Sequence, residues 1–248
     1  MIVNRAPSVT RAIAVLKLLG KSPEPQGVNA IARELGMVPS TCLHILRALT
    51  EEGMVQSDPE SKKYSVGIGV LTLAHDMLDR NVFAKRAQPE LNQIALKYGV
   101  TGTAVELDGR DRMVVVAMAQ APTFLKIQVG IGSRFPAYIS ATGRCLAAHS
   151  GLTRAQLKQR FNTLQWQDPP SFDAWMRQVD AARKDNIAVD QGNYICGFTV
   201  VAALVDGPLG LRQAVSIVGV SGQIGGRILA QLKRDTKASA DRISAQLK

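Results

Sequence analysis

Two groups of residues carry side chains able to do chemistry. The first is Ser40, Thr41, His44 and Arg47, inside VPSTCLHILRALTEEGMV at positions 38–55. On a helix starting near Pro39, they gather with Glu51 on one side, and Cys42, Leu43, Ile45, Leu46 and Leu49 gather on the other. Short hydroxyls, one imidazole, one guanidinium and no Lys suit hydrogen bonding to base edges and phosphate oxygens. A merely solvated face would carry more Glu and Lys. The second group is Cys145 and His149, one helical turn apart, a thiol and a base that together suggest nucleophilic catalysis. No orienting partner for that pair is evident, and Cys145 reads as a small core residue.

Other enzyme signatures fail on inspection. GIGVLT (67–72) and GIGSRF (130–135) lack the third glycine of a dinucleotide fingerprint. GVSGQ (219–223) has Gln223 where a nucleophile elbow needs Gly. The three His (44, 75, 149) and three Cys (42, 145, 196) are widely spaced, with no CxxC. No metal, cofactor or catalytic residue is expected.

The elements that must position the first group follow from periodicity and punctuation. Ser8 caps a helix running to about Leu19. KSPEPQG breaks the chain, and Asn29 caps a short helix ended by Gly36. The helix from Pro39 closes at Gly53. MVQSD and KKYSVG flank a turn at DPES and predict a β-hairpin. Helix, short helix, tight turn, helix, hairpin is the winged helix-turn-helix plan, in which the helix after the turn enters the major groove. Candidate DNA contacts are therefore Ser40, Thr41, His44 and Arg47, with Asn29 on the preceding helix and Lys62 and Lys63 on the hairpin.

Residues 66–80 form a further helical run. A helix over Phe83–Tyr98 ends at Gly99. Extended runs follow at 101–109, 112–120 and 123–130, with Asp108-Gly109 as a hairpin signal between the first two. PAYISATGRCLAAHSG reads as a loop entering a short helix. Helices at Thr153–Phe161 and Ser171–Lys184 precede three extended runs, NIAVDQ, FTVVAALVD and LRQAVSIVGVSG, and a last helix from Gly226. Antiparallel strands with helices around them make an α+β domain. The expected organisation is a winged helix-turn-helix domain over 1–65, a linker helix over 66–80 and the α+β domain over 81–248.

Charge is a weaker guide. The net charge is +10, with 46% hydrophobic residues. Residues 1–80 hold 9 Lys and Arg against 8 Asp and Glu, and the rest hold 21 against 12. The excess thus lies outside the segment expected to touch DNA, and only local placement of charge supports that contact. No apolar run approaches the roughly 20 residues of a membrane span. The expectation is a cytoplasmic protein with reduced thiols that meets no membrane.

The arrangement resembles the IclR family of bacterial transcriptional regulators over almost the whole chain. The resemblance rests on SVTRAIAVLKLL, VNAIARELGMVPSTCLHILRALTEEGMV, the hairpin leading to KYSVGIGVLTLA, RFPAYISATGRCLAA, and NIAVDQGNYICGFTVVAALV followed by VSIVGVSG. It implies that 81–248 is a GAF-like effector-binding and oligomerisation domain, and it implies a homodimer or homotetramer on a palindromic operator in double-stranded DNA and a small organic effector, a carboxylic acid or aromatic compound. Carried over by position, the implied effector residues are Phe124, Ile127, Phe135, Ala141, Thr142, Asp190, Phe198, Val200, Gly219 and Ser221. The chain departs from the family at Val200, where Cys is usual, at Gly219, where Ser is usual, and at Asn193, where an acid is common. These changes predict a more apolar effector, such as an aromatic acid, held at its polar end by Thr142, Ser221 and amides near Ala141. Two rival readings are a constitutive DNA-binding protein whose second domain only oligomerises, and a small hydrolase using Cys145 and His149.

Overall fold

The computed structural model describes residues 6–122, 127, 129–207 and 210–248, with Leu211 through its backbone alone. The chain divides into two compact units, Met1–Arg80 and Asn81–Lys248.

The first unit runs α1 (Pro7–Leu19), β1 (Gln26–Gly27), α2 (Val28–Glu34), α3 (Pro39–Glu51), β2 (Val55–Ser57), β3 (Lys63–Val66) and α4 (Gly69–Arg80). Its helices bury the positions their period selects, Val15, Leu19, Ile31, Ala32, Cys42 and Leu46, which form one core with Val55 of β2. Leu43, expected on the apolar side, is only half-buried and outside that core. Between α2 and α3 Gly36 takes φ 60°, a left-handed position that permits the tight turn without a Cβ clash. Both expected side-chain caps are corrected. Pro7 opens α1 and Ser8 lies inside its first turn, without a side-chain cap. Gly27 is the N-cap of α2, so Asn29 is the second helical residue. The β2–β3 hairpin gains a third strand, because β1 pairs antiparallel with β3 through Gln26 and Tyr64. Two residues are too short a run for periodicity to detect.

The second unit contains α5 (Val82–Tyr98), β4 (Thr101–Leu107), β5 (Arg112–Gln120), β6 (Arg134–Pro136), α6 (Ser140–His149), α7 (Arg154–Asn162), α8 (Phe172–Asp185), β7 (Ala188–Gln191), β8 (Phe198–Gly207), β9 (Gly210–Val220) and α9 (Gly226–Leu247). Its six strands form one antiparallel sheet in the order β6-β5-β4-β9-β8-β7. Helices α5 and α9 pack on one face and on each other, and α6 packs over β7, β8 and β9 on the other with α8 behind it. Caps are legible here: Asn81 accepts from Ala84 N at 2.8 Å, Thr153 forms a capping box with Gln156, and Ser171 accepts from Ala174 N. The Asp108-Gly109 hairpin forms between β4 and β5, but Asp111 takes the left-handed φ of 53°, so the turn is wider than an Asp-Gly two-residue turn. The extended run expected over 123–130 lies partly outside the described residues, and Ile127, Val129 and Gly130 belong to no strand. The edge strand β6 was hidden by its length.

Candidate functional site: a helix face with a wing, and a cavity over the sheet

The face of α3 opposite its core carries what the sequence placed there. Ser40, His44 and Arg47 are exposed and Thr41 is half-buried. Arg47 makes no ion pair among the described residues, so its guanidinium is free to meet an anionic partner. Asn29 is exposed on α2. Lys62 and Lys63 are exposed at the tip and start of the wing, Lys62 with φ 52°. The tip is braced by Asp58, whose backbone N–H donates to Lys63 O at 2.9 Å and whose carboxylate accepts from Glu60 N at 3.0 Å and from Ser61. The Ser61 hydrogen bond, then the Glu60 amide, hold that carboxyl below its usual range. A helix face of hydrogen-bonding side chains beside a cationic hairpin is the equipment for groove and phosphate contacts.

The second unit holds a cavity of about 100 Å³ between the sheet and the start of α6. Its wall is mostly apolar: Val105, Met113, Ile127, Val129, Phe135, Ile139, Ile195, Phe198, Val200 and Val218 line it. Thr103, Ser140, Thr142, Asp190, Tyr194 and Ser216 add polar groups. Few polar groups converging on an apolar concavity make a small-molecule site.

Of the ten positions carried over by resemblance, Ile127, Phe135, Thr142, Asp190, Phe198 and Val200 line the cavity. Phe124 lies outside the described residues. Ala141 is fully buried in the core beside Cys145 and is not part of the wall. Gly219 and Ser221 are placed on the opposite face of the sheet. A Cβ on Gly219 would stand 2.6 Å from Ile224 and 2.8 Å from Val100, and Ser221 Oγ lies 2.9 Å from Thr199 Oγ1. Strand alternation brings Ser216 and Val218 to the cavity instead. Asn193 is also outside the wall, its carboxamide accepting from Arg144 at 2.8 Å and donating to Asp168 O at 3.1 Å. Of the three departures from the family pattern, then, only Val200 alters the cavity lining, and the wall is more polar than they suggested.

Sequence reasoning missed Arg144, which organises one end of this site. It is fully buried on α6. Its Nε donates to Gln178 Oε1 at 2.6 Å, and one terminal nitrogen reaches Asn193 Oδ1 at 2.8 Å and Asp190 Oδ1 at 3.5 Å. Its guanidinium also lies 5.7 Å from the Trp166 ring centroid. Asp190 in turn accepts from the backbone N–H groups of Asn193 and Tyr194, both at 3.2 Å. Arg144 thus acts through Asp190 to hold the turn that carries Tyr194 and Ile195 onto the cavity. Burial pushes the Arg144 pKa down, opposed by the Asp190 charge. Burial likewise pushes the Tyr194 hydroxyl up. The only sequence signal for this network was an Arg amid small apolar residues in ATGRCLAA.

The entry into α6 is tight. A Cβ on Gly143 would stand 2.0 Å from the Tyr138 carbonyl carbon, so only glycine lets the preceding turn lie this close. Cys145, two residues on, is fully buried, its thiol pushed up to about 12 by burial and donating to Ala202 O at 3.2 Å. A thiol held protonated is a packing group and no nucleophile. His149 is exposed at the end of α6.

Comparison with known proteins agrees with this division. The IclR helix-turn-helix domain matches residues 8–59, and the bacterial transcriptional regulator IclR C-terminal domain matches residues 75–245. The glycerol operon regulatory protein of Streptomyces griseus is 27% identical over 218 residues, 88% of this chain and 85% of that protein. The HTH-type transcriptional repressor AllR of Escherichia coli K12 is 24% identical over 226 residues, 88% of this chain and 82% of that protein. Among solved structures, an IclR transcriptional regulator from Alicyclobacillus acidocaldarius superposes with a TM-score of 0.85 at 29% identity, covering 98% of this chain and 100% of that one. An IclR homologue from Microbacterium hydrocarbonoxydans, solved with 4-hydroxybenzoate, has the same fold, with a TM-score of 0.81 at 16% identity over 97% and 98% of the two chains. With both units matched by its models, the chain belongs to the IclR family of bacterial transcriptional regulators, and it is a DNA-binding regulator and not an enzyme.

Proposed function

We propose that this regulator changes its operator affinity when a small organic acid occupies the cavity over the sheet. The observation that carries this reading is the cavity itself: a mostly apolar space lined by a few polar side chains from the sheet, the start of α6 and the turn after β7, inside a DNA-binding regulator. Its volume is of the order of the engineered cavity of about 150 Å³ that takes up benzene, which suits a ligand near the size of one aromatic ring. The related fold that holds 4-hydroxybenzoate supports the same class.

In this reading residues 1–65 are the DNA-binding domain, 66–80 the linker and 81–248 the effector and oligomerisation domain. Arg47, His44, Ser40 and Thr41 enter the major groove, with Asn29, Lys62 and Lys63 on flanking phosphates. A homodimer, or a homotetramer of two dimers, places two such faces on a palindromic operator. Exposed apolar residues on α1 (Val9 56%, Ile13 46%) and on α4 (Leu71 63%, Leu73 59%, Met77 55%) supply surface for a second copy, and α4 buries none of its own residues within the chain. The effector acts by binding one arrangement of the two faces more tightly than another.

Two measurements test this. A thermal-shift panel of aromatic and aliphatic carboxylic acids should contain an acid that raises Tm by about 5–10 °C at a hundredfold excess over its Kd. A panel in which no acid shifts Tm favours a regulator whose second unit only oligomerises. For the wing, the Lys62→Gln/Lys63→Gln protein, which removes both lysines from each of the two wings on the operator, should bind with a log Kobs against log salt slope about 4 units shallower than the unaltered protein. An unchanged slope removes both residues from the phosphate contacts.

A further inference from the structure

The cationic surplus of this chain lies in the second unit, where residues 81–248 hold 21 Lys and Arg against 12 Asp and Glu. Neither the winged helix nor the cavity uses it, and a surplus of this sign favours an anionic partner. On α9 some of the cations are neutralised within the chain: Lys237 lies 3.0 Å from Asp241, and Arg242 lies 2.6 Å from Glu90. Lys233 and Arg234 of α9 and Lys184 near the end of α8 make no ion pair among the described residues.

Those three cations meet in one place. With Lys237 they line an open groove of about 760 Å³ between the end of α8 and α9. Apolar Ile187, Leu229, Ala230 and Ala238 line the same groove, and its own acids are Asp185 and the paired Asp241. Helix α9 contributes at every turn, through Leu229 and Ala230, then Lys233 and Arg234, then Lys237 and Ala238, then Asp241. This stripe runs beside the face that α9 buries through Leu232, Thr236, Ala240 and Ile243. From Gly226 to Asp241 a helix rises about 22 Å.

The form and the charge of the groove select its occupant. A lining that repeats at each helical turn receives the ridges of another helix. Apolar side chains mixed with cations call for an apolar stripe flanked by carboxylates. A DNA backbone would satisfy the cations but set phosphates against Ile187 and Leu229, and an extended acidic segment lacks the turn-by-turn repeat. We propose that the groove between α8 and α9 docks an acidic amphipathic helix of another protein, its apolar stripe on Ile187 and Leu229 and its carboxylates on Lys184, Lys233 and Arg234. The second unit thus offers a protein contact while the first is on DNA. This surface is separate from the cavity over the sheet and stands whether or not an effector binds there.

The test uses the full chain as unaltered protein, Lys233→Glu/Arg234→Glu and Leu229→Ala. None of these side chains belongs to the buried core, and far-UV circular dichroism checks that each protein is folded. The probe is a fluorescein-labelled synthetic peptide of about 15 residues, the length of the groove as a helix, with Leu along one helical face and Glu elsewhere. One control peptide replaces every Glu by Lys, and a second scrambles the same Glu and Leu so that no helical face is apolar. By fluorescence anisotropy the unaltered protein should bind the acidic helix about tenfold or more tighter than either control. Lys233→Glu/Arg234→Glu should lose about tenfold or more, and Leu229→Ala about threefold or more. Equal binding of the acidic helix and its scrambled control overturns the proposal, as does equal affinity of the unaltered and charge-reversed proteins for the acidic helix. A random-sequence DNA duplex that loses as much affinity for Lys233→Glu/Arg234→Glu as the peptide does assigns the groove to nucleic acid instead. A charge-reversed protein that sediments as a smaller oligomer than the unaltered one assigns it to a second copy of this chain, and either result overturns the proposal.

Discussion

Replacing Arg144 by Met is expected to destabilise the second unit strongly. The side chain is fully buried and three of its neighbours, Gln178, Asp190 and Asn193, are oriented by it. Met keeps most of the volume but leaves the Asp190 carboxylate, itself 1% exposed, without its cation. Removing one partner of a buried ion pair costs about 3–5 kcal/mol, which for a domain of this size lowers Tm by roughly 6–20 °C. Thermal unfolding followed by circular dichroism measures it directly. The Arg144→Met/Asp190→Asn double variant separates charge from packing. If the cost is the uncompensated carboxylate, the double variant loses less than the sum of the two single variants. If the losses simply add, the pair is not the source. The backbone amides of Asn193 and Tyr194 still hold Asp190 in the Arg144→Met protein, so the fold is weakened and not abolished.

The second large effect is on DNA. Arg47→Ala is expected to weaken binding by about 1–3 kcal/mol, roughly 5- to 150-fold, for each half-site of the operator, with Tm unchanged to within about 2 °C. The stability half follows from placement: Arg47 is exposed and makes no ion pair among the described residues, while α3 is anchored by Cys42 and Leu46 on its far side. The binding half follows from chemistry, since a guanidinium on the outward face of the helix after the turn reaches guanine acceptors or phosphate. Fluorescence anisotropy at fixed salt reads both specific and random-sequence duplexes. A loss confined to the operator marks base reading, and an equal loss on both marks a phosphate contact. Unchanged affinity on both would remove Arg47 from the interface.

What the amino-acid sequence determined by itself was local. The outward set on α3 was legible because 3.6-residue periodicity separates Cys42 and Leu46 from His44 and Arg47 whatever the helix packs against. The turn before it was legible because a left-handed residue there calls for Gly36. Asn81, Thr153 and Ser171 sit at helix starts for the same short-range reason. Five of the second unit's six strands were also readable as strands, β6 being too short. Which residues of β9 meet the cavity was not. In a strand each step reverses the face, so the even positions Ser216 and Val218 meet the cavity and the odd positions Gly219 and Ser221 do not. That phase is set by pairing with β4 and β8, more than a hundred positions and about twenty positions away along the chain. Arg144 and Ser140 were hidden for a related reason. Each looks like a minor polar residue within ATGRCLAA and its approach, and each takes its meaning from groups that only the tertiary fold brings near. Arg144 needs Asp190 from β7 and Asn193 from the turn after it, and Ser140 needs the sheet that completes the cavity it lines. Short-range preferences choose the elements, and the contacts between distant elements choose what those elements surround.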